Sequence, residues 1–111
     1  MITTVEIDLD TMRALASRAC GMLKTLSNPD RLLLLCQISQ GERCVSELEE
    51  ALDIRQPTLS QQLGLLRDEG LVSTRRDGKH IYYSMASKQA LAVMQVMYDQ
   101  FCQVKPKRAK R

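Results

Sequence analysis

Four cysteines are the side chains of this 111-residue chain with the most reactive chemistry: Cys20, Cys36, Cys44 and Cys102. A thiolate binds soft metal ions and attacks electrophilic sulfur. The chain shows no signal-peptide pattern and no apolar stretch long enough to span a membrane, so we expect it in the cytoplasm and off the membrane. Thiols stay reduced in that compartment. The cysteines are therefore not expected to form a structural disulfide framework.

Polar side chains that could contact bases make up a second candidate site. Gln56-Pro57 is predicted to open a helix, because proline suits the first helical position. Leu59, Leu63 and Leu66 share one face of that helix, which leaves the polar residues to face away. Glutamine can bond adenine edges in a major groove. We therefore predict DNA contacts from the polar set Gln56, Thr58, Ser60, Gln61 and Gln62.

The elements around this helix predict a winged helix-turn-helix, mainly α with a β-hairpin wing. A short helix precedes it, with Ser46 and Glu49 fitting a capping box. After it, residues 71–76 and 79–85 are predicted strands joined by Asp77-Gly78, a strong two-residue hairpin signal. Basic side chains of this wing are expected to contact phosphate or the minor groove: Arg75, Arg76, Lys79 and His80.

Three further helices complete a predicted ααααββα order. The first runs from Leu9 to about Leu26, the second ends at Ser39, and the last covers about residues 87–104. The first and last carry more apolar surface than a small core can bury, so we expect them to form a homodimer. Residues 1–104 are predicted to be one DNA-binding and dimerisation domain. The tail Lys105–Arg111, with five basic residues and no acid, is predicted to be disordered.

The chain closely resembles the ArsR/SmtB family of winged-helix repressors in the segments LKTLSNPDRLLLLCQI, SELEEAL, QPTLSQQLGLLRDEGLV and RRDGKHIYYSM. Gln62 replaces the histidine of the family's LSxHL pattern. Within the family the resemblance is nearest to the BigR/SqrR persulfide-responsive type, which shares the QPTLSQQLG segment. That type also has a cysteine in the second helix and another near the end of the last helix.

The resemblance implies a repressor that senses reactive sulfur through a dithiol switch of Cys36 and Cys102 and derepresses sulfide-detoxification genes. One thiolate attacks sulfane sulfur from a low-molecular-weight persulfide, and the other closes a disulfide or polysulfide bridge. Cys20 is expected to be a small core residue. Cys44 is expected to be a partly exposed loop thiol or a remnant of a metal site.

The alternative implied by the same family is a sensor of arsenite, cadmium or zinc. Arsenic and cadmium sensors place Cys-Val-Cys at the third helix, whereas this chain has Cys44-Val45-Ser46, and zinc sensors use histidines on the last helix, which has none here.

Enzyme chemistry is not expected, because the sequence shows no acid pair, no nucleophile with a base and no glycine-rich phosphate loop. No cofactor or metal is predicted. The expected partners are double-stranded operator DNA with an inverted repeat, a second copy of the chain, and sulfane-sulfur donors.

Overall fold

A computed structural model describes residues 6–102, so the predicted tail Lys105–Arg111 lies outside the described residues. Helices and strands follow one another in the order α1 (Leu9–Leu26), α2 (Pro29–Ser39), β1 (Arg43–Cys44), α3 (Val45–Leu52), α4 (Thr58–Asp68), β2 (Val72–Asp77), β3 (His80–Met85) and α5 (Lys88–Phe101). This is the predicted winged helix-turn-helix, with one short strand, β1, added before α3. The predicted bounds of α1 and the predicted end of α2 are confirmed.

The start of α2 is set by Asn28, whose side-chain oxygen accepts a hydrogen bond from the backbone N–H of Arg31 at 3.0 Å. Pro29 takes the first helical position, where a missing N–H costs nothing. α5 begins in the same way, with Ser87 accepting from the N–H of Ala90. These caps satisfy backbone donors that a helix cannot pair internally.

The predicted capping box of Ser46 and Glu49 is wrong. Cys44 is the residue before the helix, and its N–H donates to the Glu47 carboxylate at 2.9 Å. Cys44 pairs with Tyr82 of β3 and so keeps an extended backbone, which places the helix start at Val45. The left-handed backbone of Asp53, with φ of 56°, ends α3.

The wing is an antiparallel sheet with β3 between β1 and β2. Asp77 pairs with His80, so the two turn residues are Gly78-Lys79 and not the predicted Asp77-Gly78. Gly78 has φ of 65°, and a hairpin turn with a positive φ at its first central residue favours glycine there. Both strands therefore begin one residue later than the sequence predicted.

The core is built on α2 and α4. The predicted face Leu59, Leu63 and Leu66 of α4 is fully buried, as are Leu34 and Leu35 of α2. α3, the sheet and α5 add further buried side chains: Leu48, Val72, Tyr83, Ala90 and Met94. Burying one face of α4 leaves its polar face on the surface.

α1 lies largely outside this core. Of its 18 residues only Thr25 and Leu26, at its C-terminal end, are buried. Exposed apolar side chains remain on α1 and α5: Leu9, Met12, Leu15, Leu23, Leu91, Val96, Tyr98 and Phe101. Within the described residues, no helix combines the length and apolar character needed to cross a membrane.

Candidate nucleic-acid interface and dithiol site

The outer face of α4 carries the polar residues predicted to read DNA. Ser60 and Gln61 are exposed, and Thr58 and Gln62 are half-buried. α4 follows α3 and a tight turn, and the core holds its apolar face. The second helix of such a pair can enter a major groove with its outer face. The structure thus brings these four side chains to one surface, but it holds three of the five predicted readers, Gln56, Ser60 and Gln62, in intramolecular hydrogen bonds.

Gln56 is the first of these. Its side-chain oxygen accepts from the Ser60 N–H at 3.2 Å and from the Ser60 hydroxyl at 2.7 Å. Pro57, the residue before the helix, offers no side-chain acceptor of its own. Gln56 therefore caps the N-terminus of α4, and only its amide N–H groups remain for a partner.

Gln62 is the third, after Gln56 and Ser60. Its side-chain oxygen accepts from Arg31 Nη1 at 3.0 Å. Gln61 contrasts with it, because its side chain makes no hydrogen bond to any of residues 6–102 and keeps its full donor and acceptor capacity.

The wing exposes three basic side chains and holds a fourth in an ion pair. Arg76, Lys79 and His80 are exposed. Arg75 instead donates from Nε and Nη2 to the two Glu42 oxygens, each at 2.8 Å. Its guanidinium also lies 4.7 Å from the centre of the Tyr82 ring. Its Nη1 lies 3.8 Å from Asp77 Oδ2, so Glu42 and Asp77 would both compete with a DNA phosphate for the donors of Arg75.

Glu42 is held from two sides. Besides Arg75, the Ser84 hydroxyl donates to its carboxylate at 3.2 Å. The hydrogen bonds from Arg75, followed by the Arg75 charge and Ser84, lower the pKa of Glu42, although desolvation opposes them. A lowered pKa keeps the Glu42 carboxylate charged throughout the neutral range.

The thiols separate into different environments. Cys36 on α2 and Cys102 at the end of α5 are both exposed. Burial of part of Cys36 raises the pKa of its thiol, and the nearby charge of Cys102 raises it further. An electrostatic effect between residues 66 positions apart in the sequence means that the fold brings the two thiols near each other.

The other two cysteines differ from the expected environments: Cys20 is not a core residue and Cys44 is not a partly exposed loop thiol, whereas its interpretation as a remnant of a metal site stays a prediction. Cys44 is buried at 5% exposure, with its sulfur 3.3 Å from the Ser46 hydroxyl, because its pairing in β1 turns it under the sheet. Cys20 is exposed, because α1 has little core to pack against. Among residues 6–102, no three His, Cys, Asp or Glu side chains lie together as metal ligands would.

Residues 28–74, which cover α2 to the start of the wing, match the description "Bacterial regulatory protein, arsR family". The chain is 50% identical over 97 residues to a biofilm growth-associated repressor of Agrobacterium fabrum, covering 87% of this chain and 83% of that protein. The chain belongs to the arsR family.

Solved structures of the arsR family agree with this fold. The transcriptional repressor BigR from Xylella fastidiosa superposes with a TM-score of 0.79 at 44% identity, covering 86% of this chain and 98% of that one. A homodimeric winged helix-turn-helix domain from Mycobacterium bovis gives 0.72 at 26% identity, covering 96% and 99%. The protein is thus a DNA-binding transcriptional repressor with a winged helix and not an enzyme, as the sequence predicted.

Two residues of this arsR-family site escaped the sequence analysis. Arg31 donates a hydrogen bond to Gln62, and Glu42 accepts hydrogen bonds from Arg75; Gln62 and Arg75 are both predicted to contact DNA. The partners are 31 and 33 positions apart in the sequence, respectively. No local pattern marks such a partner, since both contacts depend on the folded arrangement of α2, α4 and the wing.

Replacing Glu42 with glutamine should free Arg75. We expect Glu42→Gln to bind random-sequence duplex DNA more tightly, with the plot of log affinity against log salt steeper by about one unit, the value of one added phosphate contact. Fluorescence anisotropy over a salt series measures both. Glu50→Gln on α3 makes the same charge change at another exposed acid. Equal slopes for the two variants would contradict the release of Arg75.

Proposed function

We propose that this arsR-family chain is a cytoplasmic homodimeric repressor that leaves its operator when sulfane sulfur joins Cys36 to Cys102, and that it thereby controls sulfide-detoxification genes. One observation carries the proposal: two exposed thiols from α2 and α5 lie near enough for the charge of one to raise the pKa of the other. The 50% identity to a biofilm growth-associated repressor supports the regulatory part.

The dimer rests on α1. Most of the stability of a helix in a protein comes from packing of its apolar face, and α1 buries only its last two residues. The radius of gyration is 16.6 Å, against about 13 Å for a compact domain of this length. A second copy packed on α1 and α5 would cover their exposed apolar side chains, and a relative of known structure is homodimeric.

A two-fold dimer calls for an inverted-repeat operator. Each α4 would enter a major groove, with half-site centres about one helical turn apart or a multiple of it. Gln61 and the polar residues around it would read bases. Arg76, Lys79 and His80 would contact the DNA backbone, and the basic residues 105–111 would add affinity without sequence preference.

The sulfur chemistry needs two steps. In the first, the Cys102 thiolate attacks the outer sulfur of a low-molecular-weight persulfide and releases the carrier as a thiol, which leaves a persulfide on Cys102. In the second, the Cys36 thiolate attacks Cys102 Sγ and expels hydrosulfide, which leaves a disulfide. Oxidation of the two thiols to a disulfide releases two electrons, which reduce the sulfane sulfur of the donor to hydrosulfide. A further sulfane sulfur would lengthen the bridge.

The order of the steps follows from the thiol at Cys36. Its raised pKa lowers the thiolate fraction at neutral pH, which disfavours it in a bimolecular step. A thiolate of high pKa is also a strong nucleophile, and proximity compensates for its small population in an intramolecular step. We therefore assign Cys36 to ring closure.

The bridge would act on DNA binding through α2. Cys36 lies on α2, which packs against α4 and whose Arg31 bonds Gln62. Tying the end of α5 to α2 would change how the two helices pack, and in a dimer it would alter the spacing of the two copies of α4.

Disrupting α1 should separate the dimer. We expect Met12→Glu to sediment as a monomer at micromolar concentration and to lose affinity for the inverted repeat, because it places a charge on the exposed apolar face. Ala14→Glu changes a residue on the opposite side of the helix and should stay dimeric. Analytical ultracentrifugation decides this. A wild-type monomer with full operator affinity would reject the dimer.

Loss of either sensing thiol should abolish the response. Cys36→Ser and Cys102→Ser should bind the operator when reduced, because neither residue lies on α4 or the wing. Glutathione persulfide should release wild type with the mass change of an intramolecular bridge, but should release neither variant. Gel shift and intact mass measure the two effects.

Cys20→Ser is the matched control, since it removes an exposed thiol outside the pair. It should respond as wild type, and Cys44→Ser should also keep its response. If Cys44→Ser abolished release, or if cadmium, zinc or arsenite released the protein while persulfide did not, the metal-sensing alternative would replace this proposal.

Ring closure should accelerate with pH. The attacking form is the thiolate, and the pKa of Cys36 lies above its ordinary value of 9.0. Below that pKa the thiolate fraction rises about tenfold per pH unit, so the second phase should quicken by about that factor from pH 7 to 8 and again to 9. Rapid-quench samples analysed by intact mass follow this second phase. Cys36→Ser should show only the first phase, which is formation of the persulfide on Cys102. A second phase with a flat pH profile would contradict the assignment.

A further inference from the structure

Arg31 lies where three helices meet. Its backbone N–H donates to the Asn28 side chain at 3.0 Å, which fixes its position in the first turn of α2. Its Nε donates to the Thr25 carbonyl at 2.7 Å and its Nη2 to the Lys24 carbonyl at 3.2 Å, both in the last turn of α1. Its Nη1 donates to Gln62 Oε1 of α4 at 3.0 Å. One side chain of α2 therefore links α1 to α4.

The three side-chain contacts of Arg31 are directional, unlike the apolar packing around them. A guanidinium is planar and rigid, so its donors hold their acceptors in fixed relative positions. Its charge strengthens each hydrogen bond, and a cation is favoured at the C-terminal end of a helix such as α1. Hydrophobic burial has no preferred direction, and α1 buries only Thr25 and Leu26. Arg31 is therefore placed to set the angle at which α1 leaves the core.

The angle of α1 matters because of the proposed dimer. If two copies pair through α1 and α5, the distance between the two copies of α4 depends on how both helices are oriented. Buried Ala90 and Met94 anchor α5 in the core, whereas only the end of α1 is buried. A tilt of α1 would change the distance and angle between the two copies of α4. One base pair between half-sites corresponds to about 3.4 Å and about 35° around the DNA axis.

We propose that Arg31 is a positioning residue that holds α1 against Gln62 of α4 and thereby sets the half-site spacing that the dimer accepts. This role rests on the proposed function, which supplies the dimer and the inverted repeat, and it adds what determines the spacing. Because Arg31 acts through α1 and α4, its loss should broaden the range of accepted spacings and leave the recognition of a single half-site unchanged.

Operators of different spacing test this role on the full-length reduced protein. Selection from a randomised duplex library first gives the operator of the wild type. Duplexes are then made with the selected spacer, with a spacer longer or shorter by one base pair, and with one half-site only. Fluorescence anisotropy measures the affinity of each protein for each duplex. Wild type should lose affinity by about tenfold or more when the spacer changes by one base pair.

Arg31→Lys keeps the charge, but an ammonium cannot hold three acceptors in the geometry of a guanidinium. The loss for the same spacer change should therefore shrink to about threefold or less, while affinity for a single half-site stays within about twofold of wild type. Arg67→Lys is the matched control on α4. The Arg67 guanidinium pairs with the neighbouring Asp68 and, among residues 6–102, with no other helix. This control should keep the wild-type spacing preference.

The α4 end of the link gives a second pair of variants. Gln62→Leu removes the acceptor for Arg31 Nη1, so it should broaden the accepted spacing as Arg31→Lys does. Gln62→Glu keeps an acceptor at that position and should retain the wild-type spacing preference. Spacing preference is a ratio of affinities measured on one protein, so a change in half-site affinity at Gln62 does not affect the comparison.

An unchanged spacing preference in Arg31→Lys and Gln62→Leu would overturn this role of Arg31, and so would the same broadening in Arg67→Lys. Equal losses of Arg31→Lys on the operator and on the single half-site would also overturn it, because Arg31 would then act in half-site recognition. Melting temperature and sedimentation show which variants fold and dimerise, and Gln62→Leu is decisive if Arg31→Lys does not fold. A wild type that binds one half-site as tightly as the inverted repeat would reject the proposed dimeric repressor itself.

Discussion

The burial of the leucine face of α4 is the constraint on which the other features of this protein depend. Leu59, Leu63 and Leu66 are withdrawn from water against α2, and each contributes about 1.5–3 kcal/mol of transfer free energy. Because these side chains recur at helical spacing, only one rotation of α4 about its axis buries them all. That rotation carries Ser60 and Gln61 to the surface. The hydrophobic core thereby determines which side chains a DNA groove can meet.

Polar contacts then refine what the core has exposed. Gln56 caps α4, Arg31 holds Gln62, and Glu42 holds Arg75, so a part of the surface predicted to contact DNA is already hydrogen-bonded in the free protein. A side chain fixed before binding loses less rotamer entropy when it meets its partner. A side chain whose groups are used elsewhere has fewer left to offer, which narrows the partners it can accept.

The sequence was enough to predict the features that depend on local periodicity. The bounds of α1, the leucine face of α4 and the two long strands follow from spacing, caps and turn residues within a few positions of each other. Cys36 and Cys102 were chosen from a family resemblance, and the fold brings them near each other. Their role as a switch stays a prediction.

What sequence reasoning missed depends on contacts between distant segments. β1 has two residues, too few for a period, and it exists because β3 offers it a free edge. Its pairing in turn buries Cys44 and moves the start of α3 to Val45. The wing turn lies one residue later than predicted, because the pairing of β2 with β3 decides which residues are left to form the turn.

If a second copy covers α1 as proposed, folding of α1 would depend on protein concentration. A helix with two buried residues gains little from its own chain, so most of its stabilisation must come from whatever covers its apolar side. When that cover is another copy, each helix becomes ordered in a second-order reaction, and resistance to heat or protease increases with the amount of chain present. At low protein concentration α1 would then unfold first, whereas α2, α4 and the wing would stay folded.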